Sequence, residues 1–495
     1  MHTATPAPAS PAAALSRAHA LFLRRHDADA LPHARAAVDA MPQRADAWTL
    51  LGILQQRLGQ SRAAESAYRQ ALRAKPDYAD AWTNLGNLLR ERNDKPGALT
   101  AFQHALRCAP GTPEPAYNLG VALEHFGARD GALLAFQAAI ECDPAHADAH
   151  WNSALNLLRA GRFDEGFREY EWRFRRDDPA PRAYPQPVWD GRALAGRTLL
   201  VWAEQGFGDA LQFLRFVPDA VAHGGRVVLE VMSGLQGLAA RIPGVAQVVV
   251  RGAALPAFDT HVALMSLPHT LGLAPARAPY LRADDALAAR WRHRLAARDL
   301  PAGHALAVGL VWAGNPALRN SRERSPGFAS VRRLLHIPGL RVVSLQKGAG
   351  RDELAGSALP SNVVDPTDAI DSFDDTAAVI ANLDVVVTCD TAVAHLAGAL
   401  GKPTFVMLPH TPDWRHGLDA ESTAWYPSMR LFRQATRGDW TDVLRRVSQA
   451  LEAAVASLPS QALGTAHAGC RSGPDTCEPG AVVGQANCSI HRQGS

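Results

Sequence analysis

The first third of the chain is a series of amphipathic helical segments whose pattern repeats every 34 residues. The period is marked by four prolines: Pro42, Pro76, Pro110 and Pro144. Small and aromatic residues recur at the same period: Gly52, Gly86 and Gly120; Ala64, Ala98 and Ala132; Tyr68, Phe102 and Phe136. A weaker unit precedes these, and a partial one follows with Gly166 in place of alanine and Tyr170 as its aromatic residue. Several residue types coinciding at one period indicate stacked helix pairs.

This pattern predicts a helical repeat domain at residues 11–176, after a flexible N-terminal segment at residues 1–10. Within a pair, Gly52 lets the two helices approach closely, Tyr68 is expected to fill the gap to the neighbouring pair, and proline ends the second helix. Stacked pairs form a concave groove that suits an extended peptide or a partner helix. The alternative for this region is a structural spacer or an oligomerisation arm.

After a proline-rich stretch at 177–195, predicted to be a linker, continuous apolar runs alternate with helical segments. The predicted strands are TLLVWA, RVVLEV, AQVVV and HVALM, then LAVGLVWAG, RVVSLQ, DVVVTC and TFVMLP. Such strands predict parallel sheets covered on both faces. Two series, at 196–300 and 301–456, predict paired doubly wound domains that bind ligands at the carboxyl ends of their strands. The polar segment at 457–495 is predicted to be disordered.

The composition, with 47% hydrophobic and 20% charged residues, is that of a globular protein. A formal net charge of +3 over 495 residues argues against a dedicated nucleic-acid-binding protein. No apolar run reaches the roughly 18 to 20 residues that span a bilayer, and no secretory signal pattern opens the chain. Six cysteines without metal-ligand spacing favour reduced thiols and a cytoplasmic location.

Two loops after predicted strands carry candidate ligand-binding residues. After TLLVWA, Gly206 and Gly208 permit a tight turn and Asp209 opens the next helix, although Asp is also an ordinary helix cap. After RVVSLQ, Gln346 and Lys347 could border a ligand. These signals are weak when each is taken alone.

The loop after LAVGLVWAG is basic and contains Arg319, Arg322 and Arg324. A basic loop is often solvated surface, but its position at the carboxyl end of a strand favours anion binding. After DVVVTC, Asp390 and Thr391 precede a helix of small residues whose exposed first amides would make an anion site.

Asp390 would repel a phosphate, so we expect it to orient backbone amides or a ligand hydroxyl. His395, one turn into the same helix, could either face a ligand or simply pair with Asp390. On the loop after TFVMLP, Thr411 and Asp413 are expected to face the same cleft. Several loops that converge on one cleft support a ligand site more strongly than any one loop.

The repeats resemble tetratricopeptide repeats, and residues 195–455 resemble the GT-B glycosyltransferases. The detailed likeness is to glycosyltransferase family nine, the heptosyltransferase family. It is carried by the Gly-Asp turn and the Asp-Thr-x-x-x-His-Leu motif, matched here by Gly208, Asp209, Asp390, Thr391, His395 and Leu396. The layout is also similar to a bacterial group of repeat-plus-transferase proteins and to the O-linked N-acetylglucosamine transferases.

The resemblance implies that Asp209 is the general base and that Asp390, Thr391 and His395 bind the diphosphate and sugar of the donor. The family's phosphate-binding lysine is absent from the basic loop, where Arg324 or Arg322 would replace it. The remaining nominated donor contacts are Gly208, Gln346, Lys347 and Asp413.

The resemblance therefore implies an inverting, GT-B glycosyltransferase that moves a hexosyl, N-acetylhexosaminyl or heptosyl group from a nucleotide-diphosphate donor. The fused repeats suggest a protein or peptide acceptor, for which a surface or flagellar protein would fit. No Asp-x-Asp pair follows a strand in this region, so the hypothesis requires no metal and no cofactor besides the donor. The alternative is a non-catalytic repeat scaffold with a degenerate sugar-nucleotide-binding domain; a sugar-nucleotide epimerase on the same fold is less favoured.

Overall fold

The computed structural model describes residues 10–176, 182–275, 278–296, 306–317, 321–354, 359–418 and 421–458. The segments predicted to be a flexible N-terminus and a disordered tail therefore lie almost wholly outside the described residues. Within residues 10–176, ten helices stack as antiparallel pairs: α1 (Pro11–Leu23), α2 (Asp27–Ala40), α3 (Ala45–Arg57), α4 (Ser61–Ala74), α5 (Ala79–Glu91), α6 (Lys95–Cys108), α7 (Pro113–His125), α8 (Arg129–Cys142), α9 (Ala147–Arg159) and α10 (Phe163–Tyr170). Each pair contacts the next, so the predicted repeat solenoid is confirmed.

The prolines of the period lie just beyond the second helix of a pair, and the carbonyl groups of three of them contact the next pair. Trp48 Nε1 donates to the carbonyl of Pro42 at 2.9 Å, and Trp82 makes the same bond one repeat later at 2.8 Å. His150 stands at the equivalent position in the last pair, with Nε2 3.2 Å from the Pro144 carbonyl oxygen. The recurring tryptophan therefore ties two of these loops to the helix that follows, and His150 does so in the last pair.

The aromatic residue of each pair packs over a glycine of its own pair. A Cβ atom added to Gly52 would lie 2.5 Å from Cε1 of Tyr68, and one added to Gly120 would lie 2.5 Å from Cε1 of Phe136. Tyr68 also belongs to a buried cluster with Leu85 of the next pair. The expectation that Tyr68 fills the gap between pairs is therefore incomplete, because its ring first occupies the space left by a missing side chain.

The first lobe is built on a sheet of four parallel strands within the described residues, in the order β3-β2-β1-β4. Its strands are β1 (Thr198–Trp202), β2 (Arg226–Val231), β3 (Val245–Val250) and β4 (Thr260–Ala263). Its helices are α11 (Phe207–Phe213), α12 (Val217–Val221), α13 (Gln236–Ala240) and α14 (Leu267–Leu271). The single helix predicted after β1 is interrupted by a 3₁₀ turn at Leu214–Phe216, and Pro218 lies in the first turn of α12, where its missing N–H is tolerated.

The second lobe is built on six parallel strands within the described ranges, in the order β7-β6-β5-β8-β9-β10. The strands are β5 (Leu306–Val311), β6 (Leu340–Ser344), β7 (Val363–Val364), β8 (Val385–Cys389), β9 (Thr404–Leu408) and β10 (Met429–Arg433). Its helices, with α15 preceding the sheet, are α15 (Asp285–Ala296), α16 (Ser321–Arg324), α17 (Phe328–Val331), α18 (Phe373–Ala381), α19 (Ala392–Ala399) and α20 (Thr441–Ala456). This is the Rossmann strand order, so the predicted pair of doubly wound α/β units is confirmed.

The sequence pattern does not predict β7 or β10. The first has only two residues, and the second interrupts its apolar run with Arg430 and Arg433. Charged residues are typical of edge strands such as β10, which lies at one side of the sheet.

The last helix pair and both lobes share one apolar core. The Phe167 ring of α10 lies 6.0 Å from Phe213 of the first lobe and 6.3 Å from Trp425 of the second. The end of the predicted linker lies along β4, where the amide of Trp189 donates to the His261 carbonyl at 2.7 Å. The repeats are therefore packed directly against the α/β lobes.

Across the described ranges, no helix combines the length and apolar character that crossing a membrane requires. Three cysteines in these ranges, Cys108, Cys142 and Cys389, are free thiols. The other three, Cys470, Cys477 and Cys488, lie outside the described residues.

Replacing Gly120 by alanine is expected to destabilise the solenoid, because the new methyl group would meet the buried ring of Phe136. Gly131→Ala in α8 is the matched control, since its Cβ would lie 3.4 Å from Leu123, an ordinary contact. Both changes share a helix-propensity gain of up to about 1 kcal/mol, so Gly120→Ala should be less stable than Gly131→Ala by about 1–3 kcal/mol. Urea unfolding of the full chain, followed by circular dichroism, measures this; equal midpoints would contradict the packing described.

Candidate functional site

A cleft of about 950 Å³ opens between the two lobes, at the carboxyl ends of their strands. It is lined by the loops after β1, β5, β6, β8 and β9, including those at the positions where the strand order of each sheet reverses. Ligands bind at these positions in doubly wound folds. Most of the candidate residues line the cleft: Gly208, Asp209, Arg324, Gln346, Lys347, Asp390, Thr391, His395 and Asp413.

Two described candidates, Arg322 and Thr411, are exposed and do not line the cleft, so the expectation that Thr411 faces it is wrong. Arg322 lies on α16 together with Arg324, which does line the cleft. Residues two apart on a helix point to nearly opposite sides, so only one of this pair can face the cleft. Arg319 lies outside the described residues. The structure therefore narrows the proposed replacement for the family's lysine to Arg324.

On the first-lobe wall, Asp209 is both a helix cap and a cleft residue. Its Oδ2 accepts a hydrogen bond from the amide of Gly206 at 3.0 Å, and its Oδ1 accepts one from Nη2 of Arg415. The two interpretations that the sequence left open are therefore compatible. Each carboxylate oxygen keeps a further lone pair for a ligand.

The two lobes meet at Gly208. A Cβ atom added there would lie 3.0 Å from Cδ2 of His395, so a larger residue would push α11 away from α19. Glycine at this position brings the Gly-Asp turn against the first turn of α19.

On the opposite wall, Thr391 is the N-cap residue of α19. Its hydroxyl lies 3.1 Å from that of Thr388 and does not cap the helix. The first amide groups of an α-helix have no acceptor within the helix. Those of Ala392 and Val393, which line the cleft, are therefore positioned to bind an anion.

Asp390 is a buried anion with two cationic or polar partners. Its Oδ2 accepts from Nη2 of Arg324 at 2.6 Å, and its Oδ1 lies 3.0 Å from Nε2 of His416. Burial alone would raise the pKa of Asp390, but His416 and Arg324 outweigh burial and hold this pKa well below its ordinary value. The pairing of Asp390 with His395 that the sequence left open is not formed, and the imidazole that bonds Asp390 is that of His416.

His395 is instead fixed by a tyrosine. Its Nδ1 lies 3.1 Å from the hydroxyl of Tyr426, which lies 3.3 Å from that of Tyr280. The Tyr280 hydroxyl in turn donates to the Leu211 carbonyl at 2.8 Å. Burial lowers the pKa of His395 to about 3, so the imidazole that lines the cleft is neutral at neutral pH.

Arg415 joins the two lobes. Its Nη1 donates to Asp413 Oδ1 at 2.8 Å, its Nε donates to Gln212 Oε1 at 2.5 Å, and its Nη2 donates to Asp209. Burial would lower the pKa of this guanidinium, but Asp413 and Asp209 outweigh burial and raise it. One buried cation therefore holds the Gly-Asp turn of the first lobe and the loop after β9 in the second.

A second buried guanidinium, that of Arg215, also contributes to the contact between the two lobes. Arg215, only 1% exposed, donates through Nη1 to the Trp425 carbonyl at 2.8 Å. Its Cζ lies 4.7 Å from the ring centroid of Tyr280 and 4.7 Å from that of Tyr426. Aromatic faces attract such a cation, so the charge is held by rings and carbonyl groups of both lobes.

Gln346 does not offer free groups to a donor. Its Oε1 accepts from the amides of Trp312 at 3.0 Å and Ala313 at 2.9 Å, and its Nε2 donates to the carbonyls of Ala313 and Lys347. The side chain therefore fixes the loops after β5 and β6 and acts as a positioning residue. Lys347 is exposed, and its Nζ donates to the Ile370 carbonyl at the edge of the cleft.

Four residues of the site are not predicted from the sequence pattern: Gln205, Arg415, His416 and Tyr426. Arg415 and His416 directly follow the PDW sequence on the loop after β9, and two basic residues beside a tryptophan were an available signal. Tyr426 reaches His395 from the segment before β10, and that strand is not predicted either. No sequence signal marks Gln205 beyond its place next to Gly206.

Two family models match separate parts of the chain. The model described as tetratricopeptide repeat matches residues 49–113, and the one described as glycosyltransferase family 9 (heptosyltransferase) matches residues 369–426. The second range contains the Asp-Thr-His motif together with Asp413, Arg415, His416 and Tyr426. The fold, the cleft and these matches describe tetratricopeptide repeats followed by two doubly wound α/β lobes that are similar to glycosyltransferase family 9.

A particular relative is Protein FlbA of Caulobacter vibrioides, which is 33% identical over 332 residues. The match covers 61% of this chain and 54% of FlbA, so the chain spans about half the length of this curated relative. Similar solved structures include pilF of Pseudomonas aeruginosa, with 20% identity and a TM-score of 0.31 over 33% of this chain and 74% of that chain. Another is a thermophilic tetratricopeptide-repeat protein of Thermus thermophilus, with 19% identity and a TM-score of 0.31 over 34% of this chain and 93% of that chain. These scores are too low to support an inference.

Arg415→Met is expected to destabilise the full chain by about 3 kcal/mol, because it leaves two partly buried carboxylates without their cation. The matched control is Arg430→Met, which breaks the exposed pair with Glu421 and should cost at most about 1 kcal/mol. Thermal unfolding of both variants measures the difference. Similar melting temperatures would show that the bridge between the lobes contributes little.

Proposed function

We propose that this chain transfers a sugar from a nucleotide-diphosphate donor to a protein acceptor, by a single displacement that inverts the anomeric carbon. One observation carries the proposal. Asp209 lies on the first-lobe wall of the cleft and the first turn of α19 lies on the second-lobe wall, and the two walls meet where Gly208 packs against His395. This arrangement supports a mechanism in which a proton acceptor works beside an anion site. The family 9 match over residues 369–426 supports the same chemistry.

In this mechanism the diphosphate of the donor binds at the amides of Ala392 and Val393 and at the guanidinium of Arg324. The helix N-terminus and the cation would stabilise the negative charge that grows as the bond from the anomeric carbon to the phosphate oxygen breaks. Arg324 is held by Asp390, so it is oriented before the donor arrives. These groups are the protein's own, and the proposal therefore requires no metal.

Asp209 acts on the acceptor. A hydroxyl oxygen of the acceptor attacks the anomeric carbon, its proton passes to Asp209, and the nucleoside diphosphate leaves with the bonding electrons. Such a general-base step contributes roughly 10² to 10⁴ in rate. Arg415 and the amide of Gly206 hold the carboxylate in a fixed orientation for this transfer.

The repeats would present the acceptor. A second cavity of about 640 Å³ lies in the concave groove between α1, α3 and α5, with Leu15, His19, Leu50, Ile53 and Asn84 among its lining residues. Because the last helix pair shares its core with both lobes, a peptide held along the groove would keep a defined position relative to the cleft. A hexose, an N-acetylhexosamine and a heptose all remain candidate sugars.

A non-catalytic scaffold is the second candidate, and one observation favours it. Both oxygens of Asp209 already accept hydrogen bonds, one of them from a buried arginine. Such a carboxylate could serve only to hold the lobes together while the cleft binds a sugar nucleotide. Binding without transfer would identify this function.

Asp209→Asn is expected to lower sugar transfer by at least about 100-fold while donor affinity changes by no more than about twofold. Asn keeps an oxygen that can cap α11. The control is Asp284→Asn, since Asp284 caps α15 through the amide of Leu287 at 2.7 Å and does not line the cleft. Transfer is followed by mass spectrometry of acceptor proteins; full transfer by the Asp209 variant would refute the assigned base.

Arg324→Gln is expected to weaken binding of nucleoside diphosphates by about tenfold or more, because a charge-assisted hydrogen bond to phosphate is lost. Arg322→Gln, two residues away and outside the cleft, should change affinity by less than about twofold. Titration calorimetry with ADP, UDP and GDP measures both, and thermal unfolding controls for the lost contact with Asp390. Equal weakening in both variants would mean that the loop attracts anions only through its overall charge.

A further inference from the structure

We propose that the last helix pair of the repeats positions the Gly-Asp turn of the transferase through Tyr170, whose hydroxyl accepts a hydrogen bond from Nε2 of Gln205 at 3.1 Å. Tyr170 ends α10, and Gln205 lies in the loop between β1 and α11, the helix whose first turn carries Asp209. The inference rests on the proposed function, in which Asp209 removes the proton of the acceptor. Tyr170 is a positioning residue, since it does not line the cleft.

The repeat itself shows that this hydroxyl is not needed for packing. The same position in the 34-residue period is occupied by Tyr68, Phe102, Phe136 and Tyr170, so phenylalanine fills it in two pairs. The hydroxyl of Tyr68 donates to Gln56 at 2.8 Å, inside the repeats. That of Tyr170 is bonded to the transferase instead.

Tyr170 is a rigid support. It is 1% exposed, and its ring centroid lies 4.8 Å from that of Trp151 in α9 and 6.1 Å from that of Trp414 in the second lobe. The Arg173 guanidinium lies 4.9 Å from the same ring. Burial raises the pKa of Tyr170 to about 12, so the hydroxyl stays protonated at neutral pH.

Gln205 needs a support. Its φ of +39° lies in the left-handed region, which residues other than glycine rarely adopt and which persists only where the surroundings hold it. Gln205 is exposed to the cleft, so few packing contacts restrain its conformation. The hydrogen bond to Tyr170 is the restraint that its side chain receives from the repeats.

The restraint reaches Asp209 by two routes. Gly206, the residue after Gln205, donates its amide to Asp209 Oδ2 at 3.0 Å. Trp414, which contacts the Tyr170 ring, precedes Arg415, the residue that donates to Asp209 Oδ1. A single side chain of the repeats therefore contacts both elements that orient the carboxylate.

Tyr170→Phe in the full chain tests the inference, with Tyr68→Phe as the matched control, because both remove one buried hydroxyl at the same repeat position. We expect amide hydrogen exchange in residues 203–209 to become about three- to tenfold faster in Tyr170→Phe, the range that one neutral hydrogen bond gives. Exchange there should not change in Tyr68→Phe. Unchanged exchange in Tyr170→Phe, or an equal rise in both variants, overturns the inference.

Transfer kinetics give a second readout. Tyr170→Phe should lower kcat by about three- to tenfold while the affinity for the nucleoside diphosphate stays within about twofold. Faster exchange with unchanged kcat overturns the positioning role. If the wild-type protein transfers no sugar, the proposed function fails; faster exchange confined to Tyr170→Phe then still supports the contact as the restraint on the turn.

Discussion

A buried positive charge must be neutralised where it lies, and the carboxylates that neutralise Arg415 belong to different lobes. Asp209 comes from the turn after β1 and Asp413 from the loop after β9. Separating the lobes would leave the guanidinium paired with Asp413 alone, and Asp209 would lose its cation. The relative position of the two walls of the cleft is therefore set by charge pairing as well as by apolar packing.

The same requirement shapes the donor side of the cleft. Asp390 is almost fully buried, and it is stable there because Arg324 and His416 bind its two oxygens. Arg324 keeps 22% of its side chain exposed, so one guanidinium can serve the buried carboxylate and still face an anion. An acid next to the proposed phosphate site, which looked unfavourable from the sequence, thus has a physical role, because it holds the guanidinium of Arg324 in place.

The periodic parts of the structure could be predicted, and the parts that depend on contacts distant in sequence could not. The 34-residue period and the apolar strands are local patterns, and they gave the solenoid and both sheets. The loop positions followed because parallel strands end at one edge. Arg415, His416 and Tyr426 escaped prediction because their role depends on partners in other loops. Gln346 borders the cleft as expected, but the sequence cannot show that its amide group is already fully hydrogen-bonded.

The shared core around Phe167 has a consequence for how such a protein can vary. Each helix pair contacts mainly its neighbours, and among the described residues only the last pair shares the core of the α/β lobes. Pairs could be added or removed at the far end without disturbing the walls of the cleft. In the proposed function, the number of helix pairs would then determine which acceptor proteins can be reached, while the chemistry in the cleft stays the same.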